Sequence, residues 1–199
     1  MLNENALLWV QALESGEYEK GMFCLKRHLP LRLLWTTQSV PEAEAATDTS
    51  GPTGALYCCL GVACELYIAA HPDHVEAKWT PRDDAQVTVE PTIQYSLLGT
   101  SQYLPEPVAQ WLGLRTVSGA YQEPGDTPEL TNQTSLVLKN DSRVNTFLDI
   151  ARIIRSEPTD LFDPPEIQAR NKAIRAQNAE KVRAQSAAAW RQKNTEGTD

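Results

Sequence analysis

One apolar stretch constrains the fold of this chain more than any other part of the sequence. It runs from Gly54 to Ala70, with the letters GALYCCLGVACELYIAA, and it carries a single charge, at Glu65. Glycines and a proline just before it disfavour a helix, so the pattern predicts a helix that starts at about Cys58. His71-Pro72 ends this helix, because proline disfavours helical geometry in the residue before it. A helix that is apolar on most sides belongs inside a domain, so we expect a central buried helix.

Length and composition limit the class of protein. A chain of 199 residues favours one compact domain with appendages, and it can bury a sizeable core without disulfides or metal. Its four cysteines are too few and too clustered for a secreted disulfide scaffold, so we expect reduced thiols. No apolar run approaches the roughly 20 residues of a membrane span, and the N-terminus has no signal-peptide pattern. We therefore expect a cytosolic protein that does not associate with membranes.

The charge is unevenly distributed along the chain. The formal net charge is −8, yet Glu166 to Lys193 holds seven Lys or Arg residues and two Glu residues, which gives +5. The remainder then carries −13, the difference between those two values. An acidic body repels nucleic-acid backbones, which argues against general nucleic-acid binding. A basic tail on an acidic body can instead dock on its own body or on a neighbouring subunit.

Helix caps, turns and apolar spacing predict the other elements. In chain order, they are a helix from Asn3 or Asn5 to Gly16, strands at Gln86–Val89 and Thr92–Leu97, a helix from Leu104 to Gly113, a strand at Ser135–Leu138, and a helix with Phe147, Ile150, Ala151 and Ile154 on one side. The turn Asn140-Asp141-Ser142 is expected to cap the last of these helices. Two polar segments, Gln38–Thr53 and Val117–Thr134, are predicted to be loops.

These elements together predict an α+β fold. We expect a single domain with a central buried helix, short antiparallel strands and a long C-terminal helical arm. Residues 1–156 are assigned to the globular domain, 157–165 to a proline-bearing linker and 166–199 to the arm. The larger apolar residues of the arm, Ile167, Ile174, Val182 and Trp190, leave a thin stripe suited to packing on one partner. We therefore expect a homo-oligomer that forms through the C-terminal helix.

Four segments of the chain form a recognisable pattern. They are WVQALESGEYEKG at Trp9 to Gly21, LYCCLGVACEL at Leu56 to Leu66, LPEPVAQWLGL at Leu104 to Leu114, and LVLKNDSRVNTFLDIARII at Leu136 to Ile154. In this order they resemble a widespread group of small accessory proteins encoded by tailed bacteriophages, which usually have no assigned function. The resemblance implies a phage origin and a place in the host cytoplasm during infection. It implies no particular catalytic or binding residues.

Nucleophilic chemistry is one alternative, because Cys58 and Cys59 are expected at a helix start. A helix N-terminus lowers the pKa of a thiol, and a cysteine-dependent hydrolase also needs a histidine base. The candidates for that base are His28, His71 and His74. The other interpretation is that these thiols are small buried hydrophobes. We favour it, because the local signatures of cysteine hydrolases are missing.

A metal or cofactor site has weaker support. A metal site would use Cys24, His28, Cys58 and Cys59, of which only Cys24 and His28 have a ligand-like spacing. The chain contains neither a Walker A loop nor a G-x-G-x-x-G motif. We therefore expect no cofactor and no bound metal.

A small anionic ligand is the hypothesis that the sequence favours. Asn140 and Asp141 are expected at a strand-to-helix junction, where free backbone N–H groups attract anions, and the start of the central helix offers a second such place. Basic side chains from the cluster after Leu25 would add positive charge. The candidate ligand-binding residues are Tyr57, Cys58, Arg27, His28, Asn140 and Asp141.

The predicted function is that of a phage accessory protein that acts by binding rather than by catalysis. We expect the target to be a small nucleotide-type signal of host defence, which the protein would sequester. A cysteine-dependent hydrolase using Cys58 or Cys59 is one alternative. The other is a protein-binding inhibitor, whose loops Gln38–Thr53 and Val117–Thr134 would contact a host defence protein.

Overall fold

In the computed structural model, the described residues are 2–28, 54–82, 93–124, 131–174, 176–177, 180–181 and 184. They belong to two compact units, of which one spans Leu2–Phe162 and the other begins at Asp163. The predicted loop Gln38–Thr53 and the predicted strand Gln86–Val89 lie outside the described residues. Within the described ranges, no helix is long and apolar enough to cross a membrane.

The described part of the first unit contains both helices and short strands. The helices are α1 (Glu4–Glu14), α2 (Cys59–Ala70), α3 (Glu106–Leu112), α4 (Leu136–Asp141) and α5 (Phe147–Arg155). The strands are β1 (Glu19–Lys20), β2 (Lys26–His28), β3 (Ala55–Tyr57), β4 (Trp79–Pro81), β5 (Ile93–Leu97), β6 (Ala120–Pro124) and β7 (Thr131–Ser135). This mixture confirms the predicted α+β class.

The first five strands form one sheet, in the order β1-β3-β2-β5-β4. Strand β1 is parallel to β3, and the other neighbouring strands are antiparallel. Residues that pair across neighbouring strands point to the same face of a sheet. One face therefore carries a row formed by Leu56, Arg27 and Gln94, and the opposite face carries a row formed by Tyr57, Lys26 and Tyr95.

Helix α2 begins and ends where the sequence predicts. Cys58 is its N-cap, and the Sγ atom of Cys58 accepts a hydrogen bond from the N–H of Gly61 at 3.4 Å. His71, directly before Pro72, is its C-cap. The first half of the helix is buried, and the buried indole N–H of Trp9 in α1 donates to the carbonyl oxygen of Cys59 at 2.8 Å. The prediction of a central buried helix is confirmed.

Three other helices also follow their sequence signals. Asn3 caps α1, because its side chain accepts a hydrogen bond from the N–H of Ala6 at 2.8 Å. Helix α3 ends at Gly113, which has the left-handed conformation that glycine adopts readily. The predicted apolar side of α5 is its buried side, formed by Phe147, Ile150, Ala151 and Ile154.

The predicted loop at Val117–Thr134 is wrong where strands β6 and β7 lie, and the predicted strand at Ser135–Leu138 is wrong; residues 125–130 of that loop lie outside the described residues. Strands β6 and β7 pair as an antiparallel hairpin, in which Tyr121 lies opposite Thr134. These strands are mostly polar, so the sequence shows no alternation of apolar residues that would predict them. Their pairing depends instead on backbone hydrogen bonds and on the burial of Tyr121. Ser135 then ends β7 and caps α4, and its Oγ atom accepts a hydrogen bond from the N–H of Leu138 at 3.2 Å.

The predicted cap at Asn140-Asp141-Ser142 is also wrong. Asn140 and Asp141 are the last two residues of α4, so they do not lie at a helix N-terminus. Helix α5 is capped by Thr146, which forms a capping box with Asp149. A better N-cap therefore follows the turn, and the strand-to-helix junction expected at Asn140 does not exist.

The second unit begins with a helix. Residues 165–174 are helical, and we number this helix α6. The N–H groups of Ile167 and Gln168 donate to the carbonyl oxygen of Pro164 at 3.0 Å. Ile167 and Ile174, seven residues apart, are 38% and 44% exposed. The predicted linker 157–165 starts inside the first compact unit, which continues to Phe162.

Candidate functional site

The four thiols lie in environments that keep them protonated. All are free and buried. Burial raises the pKa of Cys58 to about 12, and it raises the pKa of Cys24, Cys59 and Cys64 as well. A neutral thiol is a poor nucleophile. The hydrogen bond from Gly61 to Cys58 Sγ lowers the thiol pKa, as expected at a helix start, but burial has the larger effect.

Two of the histidines proposed as the base of a hydrolase, His71 and His28, lie away from Cys58 and Cys59. His71 is at the opposite end of α2 from Cys59, about 18 Å along the helix axis. Its ring stacks on Tyr67, with 4.2 Å between the ring centroids. His28 pairs with Ala55, three residues before Cys58, which corresponds to about 10 Å along the strand. In the described ranges, no group of three His, Cys, Asp or Glu side chains could hold a metal ion.

Asn140 joins three parts of the fold and is fully buried. Its Oδ1 atom accepts a hydrogen bond from the N–H of Cys59 at 2.9 Å, at the N-terminus of α2. Its Nδ2 group donates to the carbonyl oxygen of Gly21 at 3.0 Å. Asp141 continues this contact, because its Oδ1 atom accepts a hydrogen bond from the N–H of Phe23 at 2.8 Å. These two residues therefore fasten the loop between β1 and β2 to the central helix.

Glu65 is the second junction between α2 and the sheet. Its Oε1 atom accepts hydrogen bonds from Tyr57 Oη at 2.7 Å, Trp79 Nε1 at 2.9 Å and Lys26 Nζ at 2.9 Å. The Lys26 ammonium also lies over the rings of Tyr57, Trp79 and Tyr95, between 5.1 and 5.7 Å from their centroids. Burial, followed by the hydrogen bond to Glu65, raises the pKa of Tyr57 far above its usual value. The Tyr57 hydroxyl and the Lys26 ammonium are thus partnered inside the fold.

The opposite face of the sheet carries two arginines in one row. Arg27 on β2 pairs with Gln94 on β5, and the N–H of Arg82, directly after β4, donates to the carbonyl oxygen of Gln94 at 2.9 Å. One strand therefore separates the two arginines, which places their Cα atoms about 10 Å apart. Arg82 Nη1 donates to Ser101 Oγ. We call Arg27, Arg82, Ser101 and the adjacent Cys24 the arginine face.

Arg27 has an unusual environment within the arginine face. Its Nε group is buried, and it has no hydrogen-bond partner in the described part of the chain. Buried donors in folded proteins nearly always have an acceptor, so such a group calls for an explanation. The positive charges of Arg27 and Arg82 both act on the Cys24 thiol and oppose the effect of burial on its pKa. Two positive charges therefore act on this part of the sheet, and the negative charge of Asp141 acts there in the opposite sense.

An apolar groove lies between α4 and the segment before α3. Its volume is about 420 Å³. It is lined by Tyr103, Val117, Ser118, Ser135, Val137 and Leu138. Tyr103 is 48% exposed and Leu138 is 64% exposed, so two large apolar side chains face solvent at its rim. Exposed apolar surface of this kind is typical of protein-binding sites.

Comparison with known proteins identifies one family. Residues 46–158 match a family described as a domain of unknown function (DUF8296). The chain belongs to this family. The DUF8296 region includes α2, the hairpin and the helices up to α5, and with them both Glu65 and Asn140. No curated protein and no solved structure matches the chain.

The structure separates the six ligand-binding residues expected from the sequence. Within the DUF8296 region, Tyr57, Cys58, Asn140 and Asp141 hold the fold together through the contacts described above. His28 lies on the face of the sheet that carries Tyr57, Lys26 and Tyr95, with its ring 5.1 Å from that of Tyr95. Arg27 lies on the other face. The six residues therefore do not form one site.

Sequence reasoning missed Arg82 and Ser101 on the arginine face. Arg82 follows Pro81 in a polar stretch, and only the pairing of β4 with β5 brings it into line with Arg27. Ser101 is held next to β2 by a backbone contact, in which its carbonyl oxygen accepts a hydrogen bond from the N–H of Leu25 at 2.7 Å. For Glu65, by contrast, the sequence did contain a signal, since it is the one charge in the apolar run of α2.

Proposed function

We propose that this protein is a phage-encoded accessory protein that acts in the host cytoplasm by binding a small nucleotide-type signal of host defence. Binding at the arginine face would sequester the signal. The phage context rests on the four segments that resemble tailed-phage accessory proteins. The ligand class rests on one observation, the buried Nε group of Arg27, which lies in a row with Arg82 and has no acceptor among the described residues.

A phosphate group satisfies the chemistry of this surface. Guanidinium groups bind phosphate oxygens through charge-assisted hydrogen bonds, often two at a time. Such an oxygen would supply the acceptor that Arg27 Nε lacks, and a second phosphate oxygen would reach the guanidinium of Arg82. Sequestration needs no nucleophile, which agrees with four thiols that are buried and neutral.

Thermal unfolding with a panel of nucleotides tests this proposal. ATP, GTP, 3′,5′-cyclic AMP and 3′,3′-cyclic di-AMP are suitable probes. At least one should raise the melting temperature, because a ligand that binds only the folded state stabilises it. Heating should then release that nucleotide intact. Recovery of a cleaved product would contradict sequestration, and no shift with any of the four would contradict nucleotide binding.

Replacement of Arg27 localises the site. Arg27→Met should abolish the shift, while the ligand-free variant should be at least as stable as the wild type, because an unpaired buried donor has been removed. Arg152→Met is the matched control, since Arg152 is an exposed arginine that pairs with Asp149 on α5. An equal nucleotide shift in the wild type and in Arg27→Met would exclude the arginine face.

The apolar groove supports a second candidate function, inhibition of a host protein by direct binding. Its exposed residues Tyr103 and Leu138 could anchor such a partner. A photo-crosslinking residue at position 138 should then capture one host protein during infection. The same residue at position 75, where Val75 is exposed in the turn after α2, should not. Equal capture at both positions would argue against this function.

A further inference from the structure

Phe23 has a backbone conformation that its side chain disfavours. Its φ angle is +69°, in the left-handed region that glycine and asparagine adopt more readily than an aromatic residue. Its side chain is 65% exposed, so burial in the core does not compensate for this conformation. Strained residues of this kind cluster at binding and catalytic sites. Phe23 is therefore a candidate contact residue.

The fold holds Phe23 in this conformation through its backbone. The N–H of Phe23 donates to Asp141 Oδ1 at 2.8 Å, and the same oxygen accepts a hydrogen bond from Asn140 Nδ2 at 3.3 Å. Asn140 is in turn attached to the N–H of Cys59 at the start of α2. Asp141 and Asn140 thus attach the backbone that carries an exposed phenyl ring to the start of the central helix. A loop backbone that is already held in place loses little conformational entropy when a ligand binds to its side chain.

Phe23 also borders the arginine face. The residue that follows it is Cys24, and the charges of Arg27, Arg82 and Asp141 all act on the Cys24 thiol. Leu25, the next residue, is bound to Ser101 through its N–H group. The loop that displays Phe23 therefore leads directly into the arginine face. An exposed aromatic residue next in sequence to the arginine face can contribute a stacking surface for a base, and the two arginines can bind the phosphates of the same nucleotide.

We propose that Phe23 is the base-stacking residue of the arginine face, with Asp141 as its positioning residue. This inference rests on the proposed function and narrows its ligand class. The ligand is a nucleotide whose base stacks on Phe23 while its phosphates bind Arg27 and Arg82. A base-free phosphate compound would bind only through the arginines.

Calorimetric titration of the full-length protein with ATP and with inorganic triphosphate separates the two contributions. The wild type should bind ATP about 10-fold more tightly than triphosphate, because base–aromatic stacking typically has an effect of this size. Phe23→Gly should bring the affinity for ATP down to that for triphosphate and leave the triphosphate affinity unchanged. Glycine also suits the left-handed conformation, so this variant should fold. Phe23→Trp should retain the preference for ATP.

Two further variants test the positioning role and the specificity of the effect. Asp141→Ala removes the acceptor of the Phe23 N–H and should lose the preference for ATP, whereas Asp141→Asn keeps an acceptor oxygen and should restore it. Val75→Ala, which removes an exposed apolar side chain in the turn after α2, should change neither affinity.

The outcomes distinguish this inference from the proposed function. If Phe23→Gly keeps the wild-type affinity for ATP while Arg27→Met loses it, the base-stacking role is wrong and the proposed function stands. If Phe23→Gly lowers the affinity for triphosphate as much as the affinity for ATP, Phe23 acts on the arginines rather than on a base, and the inference is also overturned. If the wild type binds neither compound and no nucleotide of the panel, both proposals fail.

Discussion

Gly61 is the residue of the central helix with the least room for a side chain. A Cβ atom at this position would lie 1.7 Å from the carbonyl oxygen of Leu25, which also accepts the N–H of Cys58. Because backbone occupies the space, no rotamer change relieves the clash. This close approach brings α2 against the loop before β2, and it explains physically why a glycine stands in the sequence YCCLGV.

Gly61→Ala should therefore destabilise the protein severely. We expect a loss of more than about 3 kcal/mol in the free energy of unfolding, or no folding, because overpacking against backbone forces the elements apart. Gly16→Ala is the control. A Cβ atom added at Gly16 would have nothing within 4 Å, and only the positive φ angle disfavours alanine there. Gly16→Ala should therefore lower the free energy of unfolding by about 1 kcal/mol. Urea unfolding measures both, and equal losses would contradict this account.

The buried thiols give a prediction about chemical labelling. Iodoacetamide should label Cys58, Cys59 and Cys64 slowly at neutral pH in the native protein and fast in urea, because each thiol is inaccessible and neutral in the fold. Mass spectrometry of digested samples gives the rate for each thiol. Rapid native labelling of Cys58 or Cys59, with loss of a hydrolytic activity, would instead support the hydrolase alternative.

The same thiols predict a loss of stability in alkali. The pKa of Cys58 rises from 9.0 to about 12 on folding, so above about pH 9 the unfolded chain releases a proton that the folded chain keeps. The free energy of unfolding must then fall as the pH rises from 9 towards 12. Cys58→Ser removes this titration and keeps a side chain that can cap α2. Its stability should fall less steeply over that interval, and an unchanged slope would contradict the assignment.

At the scale of elements, α4 stabilises the fold because its last residues bind the backbone of other elements. Asn140→Ala would leave the N–H of Cys59 and the carbonyl oxygen of Gly21 without partners in the interior. We expect a loss of about 2–4 kcal/mol in the free energy of unfolding, because each buried unpaired group costs its desolvation energy. Asn145→Ala, which removes one half-buried hydrogen bond to the Lys139 carbonyl oxygen, should cost about 1 kcal/mol. Comparable losses in the two variants would show that Asn140 is not the stronger junction.

The elements that could be predicted are those with a local signal. Helices α1, α2 and α5 have a cap or an apolar spacing that the chain itself supplies, and α3 has early prolines and Gly113. Helix α4 has six residues and only two buried side chains, too few to show a helical period in the sequence. The hairpin β6–β7 has polar strands whose pairing partners the sequence does not mark. The errors therefore fall where tertiary contacts outweigh local preference.

The candidate site was less predictable than the fold, for the same reason. Arg27 was expected to bind a ligand because of its charge, but its row with Arg82 depends on two strand pairings. Asn140 and Asp141 were expected to contact an anion, whereas they bind the backbone of Cys59 and Phe23. The strain at Phe23 is a backbone property that no residue type reveals. The spacing of residues along the chain cannot predict contacts between elements that are far apart in sequence.

At the scale of the whole molecule, the C-terminal arm is the feature from which we predict a homo-oligomer. Ile167 and Ile174 of α6 are both partly exposed at a spacing that places them on one helix face. Val182 and Trp190 continue the stripe in the sequence, and the segment Glu166–Lys193 of the arm carries +5 against −13 for the rest of the chain. A helix with so thin an apolar stripe is marginal alone in water, so we expect it to gain stability by packing on a partner. Two arms of like charge repel each other, which favours contact between an arm and the acidic body of another copy.

Removal of the arm tests this prediction. Full-length protein should be a homo-oligomer, and a chain that ends at Pro165 should be a monomer with the unfolding behaviour of a folded domain, since the first compact unit ends at Phe162. Light scattering coupled to gel filtration gives both masses. Ile174→Glu, which places a charge on the exposed apolar stripe and keeps the arm, should also yield monomers. Lys172→Glu changes a charge without loss of an apolar residue, so it should shift the equilibrium between monomer and oligomer only at low salt. If the full-length protein and the truncated chain are both monomers, the arm has no role in assembly.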